Sequence, residues 1–186
     1  QTREIPGGSV SLEDGVITGV YGPGRTPLPD ETVVDAGGLY VSPGFVDIHV
    51  HGGGGFDFMS GDAEKVRGCC RMHLSHGTTT IVPTLSTAAP DTFKKAMGAI
   101  TAAMADPGKG PFIPGIHLEG PYFADSMRGA QAPEFLRDPD PAEYLSIVEE
   151  FPCVLRWAAA PELPGALEMG EALSRRGVKM CMGHSD

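Results

Sequence analysis

The stretch PGFVDIHVHGGGGFDF, residues 43–58, begins the α/β part of the sequence and is the first indication of chemistry in the chain. It contains a strongly apolar strand, residues 45–50, which runs into His49-Val50-His51. Alternate side chains of a strand point to the same face, so we expect the two imidazoles to project together. Four glycines follow and let the backbone pass close to whatever lies above the histidines. Paired imidazoles at a strand end can hold a divalent metal, although two polar groups at a strand end would give the same pattern.

A repeating pattern of strand, loop and helix follows this stretch. The strands are too apolar to face water, which indicates a parallel sheet covered by helices. Asp91 is expected to cap the second helix. A doubly wound sheet and a (β/α)8 barrel both fit the pattern. Further strands are predicted at residues 79–82, 113–118, 154–159 and 178–182, and helices at 63–76, 92–104, 141–150 and 165–176.

The positions of the polar residues favour the barrel. Several of them come at the carboxyl ends of different predicted strands, and a barrel gathers its strand ends into one site. A complete barrel needs about 250 residues, so the α/β region is expected to be an incomplete TIM-like (β/α)8 barrel of about five units, and the chain a fragment. The strand-end residues are His49, His51, Glu119, Pro161-Glu162 and His184.

The first 42 residues have a different pattern. Residues 9–12 and 16–20 are predicted strands joined by a turn at Glu13-Asp14-Gly15, and residues 31–35 a third short strand. We therefore predict two domains: a small β-sheet or β-sandwich segment at 1–42, and the N-terminal part of the barrel at 43–186.

Two further strand ends carry possible metal ligands. Glu119 is followed at once by Gly120-Pro121, which holds its carboxylate at the rim, where it can bind one metal or bridge two. A lone histidine such as His184 is more often structural, but in the company of the other candidates it is predicted to be a ligand. His117 is expected one layer deeper, with a possible role in orienting the carboxylate, and Glu162 is expected to be a hydrogen-bonding group at the rim.

Composition excludes several classes of function. The formal net charge of -10 argues against nucleic acid and anionic membranes as partners, since both need clustered Lys and Arg. No apolar stretch approaches the roughly 18 residues of a membrane-spanning helix. The four cysteines lack the spacing of a zinc site or a disulfide framework, which predicts free thiols in a reducing, cytoplasmic location.

The opening stretch resembles the strand-one signature of the amidohydrolase superfamily. More specifically, the chain resembles the N-acetylglucosamine-6-phosphate deacetylase family in the order and spacing of its motifs from about residue 10 to the end. These motifs are HLEGPYF (117–123), Gly129-Ala130-Gln131, AAAPE (158–162) and MCMGHSD (180–186).

This resemblance implies roles for particular residues. Glu119 and His184 would bind the main catalytic metal, while His49 and His51 match members that hold a second ion. Ala130 and Gln131 would contact a sugar through main chain or side chain. The cofactor would be one or two divalent ions, with Zn, Fe, Mn and Co all compatible with such ligands.

The resemblance also implies a reaction: metal-dependent hydrolysis of the N-acetyl group of N-acetylglucosamine 6-phosphate to glucosamine 6-phosphate and acetate. The partner would be a small amino-sugar phosphate, and the protein a homodimer. In the family the general acid/base is an Asp that would fall beyond residue 186, so no catalytic residue is assigned here and the fragment alone is expected to be inactive.

Two alternatives remain open. One is an amidohydrolase acting on a cyclic amide or an N-acyl amino acid, although residues 155–160 lack the strand-four Lys of the cyclic amidases. The other is a truncated, non-catalytic metal-binding paralogue. The complete HVH, HLEG and GHS motifs argue against the second alternative within the sequence given.

Overall fold

The structure is a computed structural model that describes residues 4–186. It divides into two compact units, Gln1–Pro43 and Gly44–Asp186, which are described separately. No helix among the described residues is both long and apolar enough to span a membrane.

The first unit contains an antiparallel hairpin. Strand β1, Ser9–Glu13, pairs with β2, Val16–Tyr21. Asp14 and Gly15 connect them, both with positive φ (49° and 78°), a conformation that Gly and Asp adopt more readily than bulkier residues. The predicted hairpin is therefore confirmed.

The predicted third strand at residues 31–35 is wrong. These residues form no strand, and Val34 is 85% exposed, so the short apolar run has no sheet to cover. The Glu31 carboxylate makes local contacts instead, accepting hydrogen bonds from Arg25 at 2.6 and 2.8 Å and from the Leu28 N–H at 2.8 Å. A second sheet, which a β-sandwich requires, stays a prediction.

The second unit is built on one parallel sheet. Its five strands lie side by side in the order in which they occur in the chain. A doubly wound sheet reverses its strand order at a switch point, whereas a barrel adds each strand beside the last. The incomplete TIM-like barrel is confirmed. Its strands are β3 (Phe45–Val50), β6 (Thr78–Ser86), β7 (Ile116–Glu119), β8 (Val154–Ala159) and β9 (Lys179–Met182).

Helices connect the parallel strands. Asp62 caps α1 by accepting from two backbone N–H groups, and Asp140 caps α3. The predicted cap at Asp91 is wrong: α2 begins at Pro90, whose missing N–H would have no partner in the first turn of a helix. The helices are α1 (Ala63–Ser75), α2 (Pro90–Ala105), α3 (Pro141–Glu150) and α4 (Ala166–Ser174).

Short elements complete this unit. A hairpin, β4 (Gly52–Gly53) with β5 (Phe56–Asp57), follows β3. Three single turns of 3-10 helix lie at Phe58–Ser60, Asp125–Met127 and Pro133–Phe135. The last two belong to the long loop between β7 and α3, which passes over the carboxyl ends of the strands.

Strand β6 is longer than predicted, because it continues through Pro83 to Ser86. The ladder between β3 and β6 is irregular near Pro83, and there the Val50 N–H donates to the Thr84 hydroxyl at 2.9 Å. The Thr84 hydroxyl thus takes the place of a main-chain acceptor for the Val50 N–H. Strand β6 ends at Ser86, which lies at the same edge of the sheet as the carboxyl ends of β3 and β7.

The core lies between the sheet and its helices. Apolar side chains from both layers are fully buried there, and their burial supplies the main stabilisation of such a unit. The largest of them include Trp157, Tyr122, Leu118, Ile81, Ile100 and Met97.

Candidate metal centre

Four of the predicted site residues meet at the carboxyl ends of three strands. Glu119 is the last residue of β7 and lies at the centre of the group. Its Oε1 atom is 3.3 Å from His49 Nε2 and 3.4 Å from His184 Nε2, and its Oε2 atom is 3.2 Å from His51 Nε2. The facing Nε2 atoms of His49 and His51 are 3.2 Å apart. Sheet order thus brings together residues that are up to 135 positions apart in the chain.

The carboxylate of Glu119 is held in its ionised form. Its side chain is only 11% exposed, and burial by itself would raise its pKa. The hydrogen bond from His51 and the charges of the nearby imidazoles outweigh burial and lower the pKa of Glu119 to about 2. The same hydrogen bond raises the pKa of His51. The cluster therefore consists of the negatively charged Glu119 carboxylate and the imidazole nitrogen atoms of three histidines around it.

The donor set fits a divalent cation. His184 Nδ1 lies 2.8 Å from the carbonyl oxygen of Met127, which can only accept, so Nδ1 carries a proton and the other ring nitrogen, Nε2, faces Glu119. Nitrogen lone pairs and carboxylate oxygens that face each other need a proton or a cation between them. Ligands about 2.0–2.1 Å from a tetrahedral ion lie about 3.3 Å apart, close to the spacings among His49, His51 and Glu119. His184 Nε2 lies 3.4 Å from Glu119 Oε1 and is outside this group of three. The candidate ligand atoms of His49, His51 and Glu119 all lie within 4.8 Å of one another.

Neighbouring groups orient the imidazoles. Ser86 Oγ lies 3.0 Å from His51 Nδ1, so the ring can present Nε2 to the centre of the cluster. The Met127 carbonyl does the same for His184. Ser86 was not among the predicted site residues, because the predicted strand ended at residue 82, four residues before it. A prediction that ended the strand at Ser86 would have placed this residue among the polar strand-end candidates.

Gln131 occupies an unexpected position. Its side chain is buried, with Nε2 donating to Glu119 Oε2 at 2.9 Å and Oε1 accepting from the Thr87 N–H at 2.8 Å. Both ends of the amide are engaged within the protein. Ala130, beside it, is exposed. Contact of these two residues with a sugar stays a prediction.

Comparison with known proteins identifies the family. The model of the amidohydrolase family matches residues 40–161, which is more than half of the chain. The chain belongs to the amidohydrolase family.

Relatives of this amidohydrolase carry deacetylase names. It is 30% identical over 197 residues to the N-acetylglucosamine-6-phosphate deacetylase of Mus musculus, covering 98% of this chain and 47% of the relative. It is 34% identical over 176 residues to the N-acetylgalactosamine-6-phosphate deacetylase of Escherichia coli O157:H7, covering 94% and 45%. The chain thus spans about half the length of the curated relatives it matches.

Solved structures agree with this assignment. A mutant N-acetyl-D-glucosamine-6-phosphate deacetylase of Mycobacterium smegmatis, in complex with N-acetyl-D-glucosamine 6-phosphate, superposes with a TM-score of 0.84 at 33% identity. The match covers 96% of this amidohydrolase and 45% of that chain. The incomplete barrel therefore has the fold of the corresponding part of that enzyme.

His117 lies below the cluster of this amidohydrolase. It is 1% exposed, and its ring meets that of His49 edge-on with centroids 5.0 Å apart. Burial, helped by the charge of Arg156, lowers the pKa of His117 to about 4, so the ring is neutral. Its Nδ1 atom has no hydrogen-bond partner among the described residues. Among the described residues His117 makes ring contact with His49 and no hydrogen bond to Glu119, and its possible role in orienting that carboxylate stays a prediction.

The remaining rim residue, Glu162, behaves as expected. It accepts hydrogen bonds from Ser185 Oγ and from the Asp186 N–H, both at 2.8 Å. The Asp186 N–H bond is the main reason why the pKa of Glu162 is lowered. These contacts hold the segment directly after His184 and leave Glu162 outside the metal-ligand group.

Proposed function

We propose that this chain supplies the metal-binding part of an enzyme that removes the N-acetyl group from an amino-sugar 6-phosphate, with N-acetylglucosamine 6-phosphate as the first candidate. The observation that carries the proposal is the convergence of three histidines on the ionised carboxylate of Glu119. The names of the relatives supply the substrate class. A homodimer and a cytoplasmic location stay predictions.

His49, His51, Glu119 and His184 would hold the metal. When bound, a divalent cation polarises an amide carbonyl and lowers the pKa of a water molecule towards about 7. Zinc, iron, manganese and cobalt all accept imidazole and carboxylate ligands, and the two oxygens of Glu119 leave room for one ion or two.

Access of a substrate to the proposed metal depends on the exposure of these side chains. The side chains of His49 and His51 are 43% and 44% exposed, whereas that of Glu119 is 11% exposed. The cluster is therefore open on the imidazole side, where an N-acetyl group can approach, and closed behind the carboxylate. Departure of the amine requires a general acid. The family resemblance assigns this role to an Asp that none of residues 1–186 matches, so the activity is proposed for a protein that contains this chain together with such an Asp.

Cyclic amides are a less suitable substrate class. The strand-four segment 155–160 contains Arg156 and no Lys, so it lacks the group that bridges two metals in the cyclic amidases. N-acetylgalactosamine 6-phosphate is the specific second candidate, because a relative that is 34% identical is named for it.

Acetate release from the metal-loaded, complete gene product tests the proposal. The substrates are the 6-phosphates of N-acetylglucosamine and N-acetylgalactosamine, unphosphorylated N-acetylglucosamine, a cyclic amide and an N-acetyl amino acid. We expect a phosphorylated amino sugar to have the highest kcat/KM, and the higher of the two sugar phosphates identifies the epimer.

Variants connect this activity to the proposed site. Glu119→Gln and His184→Asn should each lower kcat/KM at least about 100-fold, since they remove metal ligands. Glu149→Gln, an exposed change on α3, is the matched control and should leave the rate unchanged. Equal activity of Glu119→Gln and the unaltered protein, or a clear preference for a cyclic amide, would refute the proposal.

A further inference from the structure

Gln131 lies in the long loop between β7 and α3, 12 residues from Glu119, yet its side chain reaches the proposed metal ligand. It is a buried polar side chain, 7% exposed, and all of its resolved hydrogen bonds serve either Glu119 or Thr87. A buried amide of this kind is retained only when its hydrogen bonds are satisfied, so its orientation is well defined.

Thr87 determines which way the amide faces. The backbone N–H of Thr87 can only donate, so the atom 2.8 Å away must be the Gln131 carbonyl oxygen. The amide NH2 is then the group that faces Glu119, as donor to Oε2 at 2.9 Å. The Thr87 N–H thus fixes the orientation of the amide, so that Gln131 donates to Glu119.

This hydrogen bond makes the two oxygens of Glu119 unequal. Oε2 accepts from Gln131 and lies beside His51, so part of its acceptor capacity is already used. Oε1 lies between His49 and His184 and accepts from no amide. Rotation of the carboxylate about its last torsion would break the Gln131 bond, so Oε1 is kept towards these two histidines.

The same loop also orients His184. The Gln131 N–H donates to the Arg128 carbonyl at 3.0 Å, closing a turn over Gly129, and the preceding carbonyl, that of Met127, accepts from His184 Nδ1. Residues 127–131 therefore contact two candidate metal ligands, Glu119 at the end of β7 and His184 two residues after β9. Space for Thr87 beside this loop comes from Gly120, where a Cβ atom would lie 2.1 Å from Thr87 Oγ1.

We infer that Gln131 is a positioning residue that directs Glu119 Oε1 to the metal. This inference rests on the metal site of the proposed function. Its energetic basis is preorganisation, because a carboxylate that is already oriented loses less freedom when it binds an ion. Groups that orient metal ligands typically change metal affinity 10–100-fold when they are removed.

The test is metal binding by the metal-free, complete gene product, measured by calorimetry with Zn²⁺ and by the visible absorption of bound Co²⁺. Gln131→Met keeps the length and volume of the side chain but removes both hydrogen bonds. We expect the dissociation constant to rise about 10–100-fold and the Co²⁺ spectrum to change, because Glu119 would take a different orientation. A residue that served only stability would lower the melting temperature and leave the Co²⁺ spectrum unchanged.

Thr87→Val is the matched control. It keeps the shape of the side chain and the backbone N–H that binds Gln131, and it removes only a long contact, 3.5 Å, to the Glu119 carbonyl. Its dissociation constant should stay within about 3-fold of the unaltered protein, well below the effect expected for an orienting residue. Gln131→Ala is the second variant, with folding checked by circular dichroism.

Each outcome has a distinct meaning. Unchanged affinity and spectrum in folded Gln131→Met or Gln131→Ala would overturn the inference while leaving the metal site intact. Loss of folding in both variants would also overturn it, because Gln131 would then serve the fold and not the metal. Failure of the unaltered protein to bind Zn²⁺ or Co²⁺ would refute the proposed function itself.

Discussion

Trp157 donates its indole N–H to the carbonyl oxygen of Gly120 over 2.9 Å, which ties β8 to the residue directly after Glu119. The indole also stacks on Tyr122, with ring centroids 5.7 Å apart, and both side chains are fully buried. The proposed metal carboxylate is therefore followed by a segment of chain that is anchored from the neighbouring strand.

Trp157→Phe should test this anchor. Phenylalanine keeps an aromatic ring but loses the donor, which leaves a buried carbonyl without its partner and costs about 1–3 kcal/mol of unfolding free energy. Urea unfolding followed by circular dichroism measures the change, since Trp157 is the only tryptophan and its fluorescence would be lost. A loss below about 0.5 kcal/mol would show that the carbonyl has another partner.

Gly120→Ala should destabilise the protein through a different mechanism. Gly120 has φ of 99°, and an added Cβ would overlap Thr87 Oγ1, so both strain and a clash arise. We expect a loss of more than about 1 kcal/mol and weaker Zn²⁺ binding. Gly98→Ala is the control: Gly98 lies exposed within α2 with no neighbouring atom within 4 Å, and this change should stabilise the protein by about 0.5–1 kcal/mol. Equal effects from the two substitutions would contradict this account.

Ser86→Ala should weaken metal binding without a comparable loss of stability. It removes the hydroxyl 3.0 Å from His51 Nδ1, so the imidazole is free to turn away from Glu119. We expect the Zn²⁺ dissociation constant to rise about 10-fold, at the lower end of the effect of orienting groups. Ser146→Ala, an exposed change on α3, should have no effect. Calorimetric titration of both variants decides between an orienting hydroxyl and an incidental contact.

Bound metal should stabilise the fold. A ligand at 100 times its dissociation constant adds about 2.7 kcal/mol to the unfolding free energy when it binds only the folded state. A chelator should therefore lower the melting temperature of the metal-loaded protein and leave that of Glu119→Gln nearly unchanged. If the chelator lowered the melting temperature of both proteins equally, the ion would have to bind at a site that does not include Glu119.

A second carboxylate should make stability depend on pH. Glu143 accepts hydrogen bonds from Arg137 Nε and from the Tyr122 hydroxyl, both at 2.9 Å. Burial of Glu143 raises its pKa, but the hydrogen bonds from Arg137 and Tyr122 outweigh burial, so the pKa lies below its ordinary value of 4.5. Its stabilising contribution is therefore complete above pH 4.5 and is lost as the pH falls through the lower pKa of the folded state.

Glu143→Gln isolates this contribution. The variant should be less stable than the unaltered protein by about 1–2 kcal/mol at pH 6. The difference should shrink towards zero as the pH is lowered below 4.5, because the unaltered protein then loses its own carboxylate. Thermal unfolding at several pH values measures both. A difference that stayed constant with pH would mean that the charge of Glu143 contributes nothing.

Local patterns in the sequence were sufficient for much of the fold. The strand at residues 154–159 and the helix at 141–150 have the predicted bounds, because the apolar run of one and the Asp140-Pro141 start of the other are local signals. The parallel sheet also followed from the alternation of strands and helices, and the polar residues at the strand ends favoured the barrel over a doubly wound sheet. The predictions failed where a local preference was overridden: β6 continues past Pro83, and residues 31–35 find no sheet to join.

Residue type and position along the chain were sufficient to find the metal-ligand candidates. His49, His51, Glu119 and His184 stand out because their residue types and their places at strand ends are both visible in the chain. The contacts of these candidates with Ser86, at His51, and with Gln131, at Glu119, could be found only from the folded structure. These partners lie on other strands and loops, so their contacts depend on strand register and on the path of the loop over the barrel rim. The residues next to a ligand in the sequence indicate neither the strand register nor the path of this loop. The contact of the buried Gln131 amide with Glu119 could therefore not be predicted from the sequence.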